Sequence, residues 1–252
     1  MKHFTIFQGF YYPIAEMTEE EIVSTIGSFT YREKVEEIRR IFAEQGEKAA
    51  NEKKELPAIA FSASYRGRRT KVNLVKYLGH IVIDIDHLSK EELARILPII
   101  KRCDYTRIAF ISPKGMGVKI IVRACHPDET LPETLQEIED FHHAAYTRLV
   151  SFYTELCQIE IDTSGQDVAR TCLFSYDPEI YFNPNADAFL VDQPQASYKV
   201  SNRKNLSGSK QQTPPDGPPT NEDTALNAHS ANASLVLTLT YYHNKSEKYI
   251  AG

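Results

Sequence analysis

The chain has 252 residues, 42% of them hydrophobic and 25% charged, which is enough to bury one substantial core with a small appendage. A formal charge of −5 offers no global attraction to nucleic acid, so any such binding has to rest on local clusters. No apolar run reaches the length of a membrane span, and the opening MKHFTIFQGFYYPIAEMTEEE carries no basic-then-apolar leader. No membrane association and a cytoplasmic location are therefore expected.

In chain order, HFTIFQ reads as a short strand. MTEEEIVSTI follows with Thr18 placed to cap a helix and Glu21 placed to close a capping box. YREKVEEIRRIFAEQG spaces Val35, Ile38, Ile41 and Phe42 among charges, an amphipathic surface helix ending near Gly46. LPAIAFSASYRGRRTKVNL is of β type but interrupted by Arg66, Arg68, Arg69 and Lys71. This basic cluster suits the phosphates of a nucleic-acid strand, or equally a strand edge blunted by charge.

GHIVIDIDHLSKEELARILPIIKRC runs strand, turn, helix, with a second capping box at Ser89 and Glu92 and an apolar stripe of Leu93, Ile96, Leu97 and Ile100. TRIAFISPKGMGVKIIVRACH places two β-rich runs around a proline and glycine turn, the pattern of a hairpin. Leu135, Ile138, Phe141, Ala145, Leu149, Phe152 and Leu156 then line one side of a helix that should cover a sheet, with His142 reading as a satisfied core histidine. IEIDTSGQDVARTCLFSYDPEIYFNP is strand-rich and closes a domain placed at residues 1–196. From 197 to 252 the composition turns to Ser, Asn, Pro, Gly and Thr, which predicts a flexible linker and C-terminal tail. Cys103, Cys125, Cys157 and Cys172 form no C-x-x-C pair and read as reduced, buried thiols. The whole predicts an α+β sandwich, a mostly antiparallel sheet with helices packed on one face.

Asp84 and Asp86 lie two apart in IVIDID, so their carboxylates share one side of a strand. Two such charges repel and are costly to desolvate, and the relief is a shared proton, a basic partner or a divalent cation. Oxygen-only ligands suit Mg²⁺ or Mn²⁺, which points to phosphoryl or nucleotidyl transfer; a solvated or arginine-paired sheet edge is the bland alternative. In SPKGMGVK, Gly115 and Gly117 let backbone N–H groups approach an anion, and Lys114 and Lys119 supply charge. Lys119, Ile121 and Arg123 share a strand face, which argues that this side of the sheet is open to a charged ligand. Asp162, at the end of a β-type run, offers a third carboxylate, with Asp167 as competitor and Arg170 as a further cation. Asp162 before Thr163, Ser164 and Gly165 is also an ordinary turn signal, and Asp177 before Pro178 reads as a turn former.

In this order, IVIDID, SPKGMGVK and EIDTSG resemble the three motifs of the archaeo-eukaryotic primase superfamily, which includes primase-polymerases of plasmids and phages. More closely, LPAIAFSASYRGRR, GHIVIDIDHL, SPKGMGVKIIV and ARTCLFSYDPEIYFNP together look like the VirE amino-terminal-type domain of bacterial mobile-element replication proteins, over Phe4 to Asp192. That resemblance implies a two-layer core with an RRM-like sheet, in which Asp84, Asp86 and Asp162 are the catalytic carboxylates and hold two divalent ions. Ser112, Lys114, Gly115, Gly117, Lys119 and Arg170 would then contact a nucleoside triphosphate, on a single-stranded DNA template, with a replicative helicase on a separate or missing segment. The superfamily's second motif usually ends in histidine, where this chain has Lys119. Lysine binds phosphate as a point charge without the imidazole's directed hydrogen bond. Two expectations result: a DNA-directed primase or polymerase, or a catalytically inactive nucleotide- or nucleic-acid-binding module of the same fold.

Overall fold

Capping boxes open three of the four α-helices in the computed structural model, which describes residues 3–9, 11–46 and 53–192. The predicted linker and tail, 197–252, lie outside the described residues. Thr18 caps α1 (Glu19–Gly27), its hydroxyl accepting from the Glu21 N–H while the Glu21 carboxylate accepts from the Thr18 N–H. Helix α2 (Arg32–Gln45) stops at Gly46, whose φ of 61° is the left-handed conformation that glycine takes without strain. Ser89 with Glu92 opens α3 (Lys90–Arg102), and Thr134 with Glu137 opens α4 (Leu135–Cys157) with the same spacing.

The strands in chain order are β1 (Phe4–Gln8), β2 (Tyr12–Met17), β3 (Ala58–Ala60), β4 (Ala63–Tyr65), β5 (Leu74–Tyr77), β6 (His80–Ile85), β7 (Ile108–Ile111), β8 (Val118–Cys125), β9 (Cys172–Leu173), β10 (Tyr181–Phe182) and β11 (Phe189–Leu190). One antiparallel sheet runs β2-β1-β3-β9. A second is built on β8: β6 pairs along one edge, and the other edge is shared by antiparallel β7 and, further along, parallel β11. Strand β10 extends this sheet beyond β7, and β4 with β5 form a separate hairpin whose loop carries the basic cluster. Strand β2 is exposed and contains Pro13, so it gives no inside-outside alternation and sits where proline is tolerated, at a sheet edge.

The α+β class and the helix-covered sheet are as the sequence predicts. Ile81, Ile83 and Ile85 of β6, with Ile120 and Val122 of β8, pack against α3 and α4. The α4 stripe from Ile138 to Leu156 is buried, while Leu135 remains 42% exposed at the helix start. His142 is buried and hydrogen-bonded to the Tyr77 hydroxyl at 3.0 Å; burial pushes its pKa down to about 4, so it sits neutral in the core. All four cysteines are free and buried.

The opposite face of the sheet differs from expectation. Val82, Ile108, Phe110 and Ile121 pack against Phe4, Ile6, Ile59 and Cys172 of the first sheet and Ile22 and Ile26 of α1. Apolar residues interleave with Lys119 and Arg123 on that face and need cover, which leaves Asp84, Lys119 and Arg123 half-buried. A buried charge network fastens α1 there. Glu19 accepts from Arg107 Nε at 2.6 Å and meets His80 Nε2 at 3.1 Å, while His80 Nδ1 lies 3.0 Å from the Leu78 carbonyl oxygen. Burial works against the Glu19 carboxylate, but the hydrogen bonds from His80 and Arg107 prevail and lower its pKa to about 2.

The run around Asp162 forms no strand. Helix α4 ends at Gln158 in a left-handed conformation with φ of 51°, and the chain then makes a 3-10 turn over Thr163–Gly165. Asp177 is a turn former as predicted, accepting from the Glu179 N–H at 3.0 Å, and its other oxygen accepts from the Ile111 N–H at 2.8 Å at the end of β7.

Candidate anion and metal site between the sheets

Antiparallel register sets Asp84 of β6 directly opposite Lys119 of β8, on the side facing the first sheet. The Lys119 ammonium contacts Asp84 Oδ2 and stands 3.9 Å from Asp86 Oδ1, and Arg170, just before β9, approaches Asp84 Oδ2 at 3.5 Å. Burial disfavours the Lys119 ammonium, and the Asp84 carboxylate more than offsets it, so the lysine pKa lies above its ordinary value. These groups line a cavity of about 340 Å³ together with Lys53, Arg69, Ser112, Lys114 and Cys172. Two buried polar atoms there have no hydrogen-bond partner, Asp84 Oδ1 and Ser112 Oγ. Unsatisfied buried oxygens of this kind are the exception in folded proteins, and a bound water or ion satisfies them.

The loop 112–117 is held from both sides. Within it, Ser112 N–H donates to the Gly117 carbonyl and Gly115 N–H to the Ser112 carbonyl, both at 2.9 Å. From α2, Arg39 donates to the carbonyls of Ser112 at 3.4 Å and Tyr176 at 2.9 Å, and Lys114 lies 4.7 Å from the centroid of the Phe42 ring. The sequence carried a signal for Arg39, a cation set among Val35, Ile38 and Phe42 on the helix's apolar stripe. Gly115 takes φ of 78°, and a Cβ there would meet Arg39 Nε at 3.3 Å. At Gly117 a Cβ would stand 2.5 Å from the Ile85 carbonyl oxygen and 2.9 Å from Asp86 Oδ1. Gly117→Ala should therefore force the loop away from β6, lowering stability by about 1–3 kcal/mol and displacing Asp86. Thermal melting tests this, and an unchanged melting temperature would contradict the close approach.

The structure places Asp84 and Asp86 on the cavity wall, and Asp162 is not among the residues that line it. The Asp162 carboxylate turns back on its own turn, accepting from the Ser164 N–H at 3.0 Å and from the Ser164 hydroxyl, and these bonds hold its pKa below the usual carboxylate range. Asp167 likewise accepts from the Ala169 N–H at 2.9 Å. Among the described residues no group of three Asp, Glu, His or Cys side chains converges as a metal cluster. Two carboxylates, one with a buried unpartnered oxygen and the other 51% exposed, are the side chains that would hold a divalent ion such as Mg²⁺ or Mn²⁺, which prefers oxygen ligands.

The basic cluster divides. Arg69 lines the cavity and donates to the Ala169 carbonyl, whereas Lys71 pairs with Glu139 of α4 at 2.6 Å. Arg66 and Arg68 stay exposed in the β4–β5 loop.

Residues 51–182 match the family described as BT4734-like, N-terminal domain, just over half of the 252-residue chain. The chain belongs to this family. The region shared with BT4734-like N-terminal domains holds Asp84, Asp86, the 112–117 loop, Lys119 and Arg170, and so contains most of the cavity wall. Strand β1, α1 and Arg39 lie before it, and β11 lies after it. No curated protein and no solved structure matches the chain.

Proposed function

We propose that the chain is a primase-polymerase-like domain of a mobile-element replication protein, binding a nucleoside triphosphate with one divalent ion for nucleotidyl transfer on single-stranded DNA. The observation that carries this reading is the cavity itself. Paired carboxylates, one with an unsatisfied oxygen, line one solvent-open pocket with Lys53, Arg69, Lys114, Lys119 and Arg170. Carboxylates for a metal and cations for phosphates are the complement of a metal-bound triphosphate, and phosphoryl chemistry asks little more of a protein than position and charge. The ordered resemblance to primase motifs supplies the reaction and the template, and a helicase on a separate segment would supply unwinding.

A second reading, a catalytically silent nucleotide-binding module of the same fold, is favoured by two observations. Lys119 already contacts Asp84, and the third carboxylate accepts hydrogen bonds within its own turn and does not line the cavity. Primer synthesis with Mg²⁺ or Mn²⁺ and labelled nucleoside triphosphates decides between them. The leading reading expects incorporation that vanishes when Asp84 and Asp86 are both changed to Ala. Metal-dependent nucleotide binding without incorporation establishes the second reading, and incorporation that survives the double change removes the site from both.

A further inference from the structure

Two exposed aromatic groups on the surface meet arginines, and their electrical surroundings differ. At the start of β2, Tyr11 and Tyr12 are 54% and 65% exposed, and the Arg68 guanidinium carbon stands 5.8 Å from the Tyr11 ring centroid. At the start of α2, Phe29 is 72% exposed beside Tyr176, with Arg32 at 5.3 Å and 5.9 Å from the two rings. Arg32, however, is paired with Glu36 at 2.8 Å, and Glu33, Glu37 and Glu44 share its helix, a neighbourhood that repels phosphate. Arg66 and Arg68 pair with no carboxylate among the described residues.

We propose that Tyr11 and Arg68, with Tyr12 and Arg66 close to them in the chain, form a stacking platform for single-stranded nucleic acid that leads into the cavity; this rests on the template part of the reading above. Tyrosine rings present flat faces on which any base can stack, and arginines beside them add phosphate contacts and cation–π attraction, the combination that binds single strands without sequence preference. Chain neighbours of the platform reach the carboxylates. Arg69 follows Arg68 in the chain, lines the cavity and donates to the Ala169 carbonyl, and Arg170 beyond it approaches Asp84 at 3.5 Å. All four platform side chains are exposed, so changing them leaves the two cores intact.

Fluorescence anisotropy of the full chain with labelled oligo-dT, oligo-dA and oligo-rU tests the proposal, with binding of a fluorescent nucleoside triphosphate and Mg²⁺ measured in parallel. Tyr11→Ala with Tyr12→Ala should weaken oligonucleotide binding about tenfold or more on dT and dA alike. Tyr11→Phe with Tyr12→Phe should retain it, and Phe29→Ala should leave it unchanged. Arg66→Ala with Arg68→Ala should flatten the salt dependence by about 0.7 in log–log slope for each phosphate contact removed. Tighter binding of rU or of dT identifies the strand chemistry and leaves the platform standing. Unchanged affinity in the tyrosine-to-alanine pair, an equal loss in Phe29→Ala, or no oligonucleotide binding by the unaltered chain overturns the platform. Nucleotide binding that persists in that last case keeps the cavity reading, and its loss on changing Asp84 and Asp86 is judged independently.

Discussion

Asp84→Ala should destabilise the chain by about 3–5 kcal/mol, more than the loss of a surface ion pair, because it strands the Lys119 ammonium in a buried site. Lys119 is 12% exposed and its closest charge partner is Asp84, with Asp86 at 3.9 Å too distant and too solvated to replace it. Removing the lysine together with the aspartate, as Asp84→Ala with Lys119→Met, should restore most of that stability, since a methionine fills similar volume without charge. Neither variant should bind metal-dependent nucleotide. Denaturant unfolding of the two singles and the double gives the coupling energy, and titration of nucleotide gives the function. A neutral Asp84→Ala, or a double variant no better than the single, would sink the claim that the pair is a mutual counter-charge.

Acid should expose the second large effect, at the far end of β6. Glu19 has a folded pKa of about 2 against an ordinary 4.5, so between these values the unfolded chain binds a proton that the folded chain refuses. The stability this group contributes is fully present above 4.5 and is lost as pH falls toward 2, a difference of about 3 kcal/mol. Glu19→Gln should flatten that acid limb. It should also weaken the protein by a few kcal/mol near neutrality, since Arg107 and the buried His80 would face a neutral amide. Urea unfolding across the acid range checks both parts, and a variant with the parent's pH slope would show that Glu19 is not the titrating group. Because Glu19 is the first residue of α1, loss of this network should loosen that helix from the sheet before the α3 and α4 layer is affected.

Local signals carried most of the fold. Capping boxes at Thr18 and Ser89, the apolar stripe of α4 and the glycine hairpin between β7 and β8 all depend on residues close in sequence, and each lies where its spacing predicts. The first sheet did not announce itself. Strand β2 is an exposed edge with a proline, and β3 and β9 are only three and two residues long, below the length at which alternation can be read. What covers Val82 and Ile121 is therefore a matter of long-range packing. The candidate site divides in the same way. Asp84 and Lys119 follow from strand pairing, whereas Arg39 reaches the 112–117 loop from a helix 73 positions earlier. For Asp162 the turn signal in Thr163, Ser164 and Gly165 outweighed the β-type run before it, and the carboxylate spends its lone pairs on that turn.

The divided edge of β8 has a consequence for where this protein can be cut. Family similarity covers 51–182, yet the last two residues of β8 are paired by β11, whose Phe189 packs against Tyr105 and Phe152 at ring centroids of 5.3 Å and 6.3 Å. Phe4 and Ile6 fill the other core from the opposite end of the chain. A fragment trimmed to the region of similarity would leave β8 with a bare hydrogen-bonding edge and both cores uncovered, an invitation to aggregate. The packing predicts that the smallest piece to fold as a unit begins with β1 and includes β11, some fifty residues earlier and several later than the family boundaries mark.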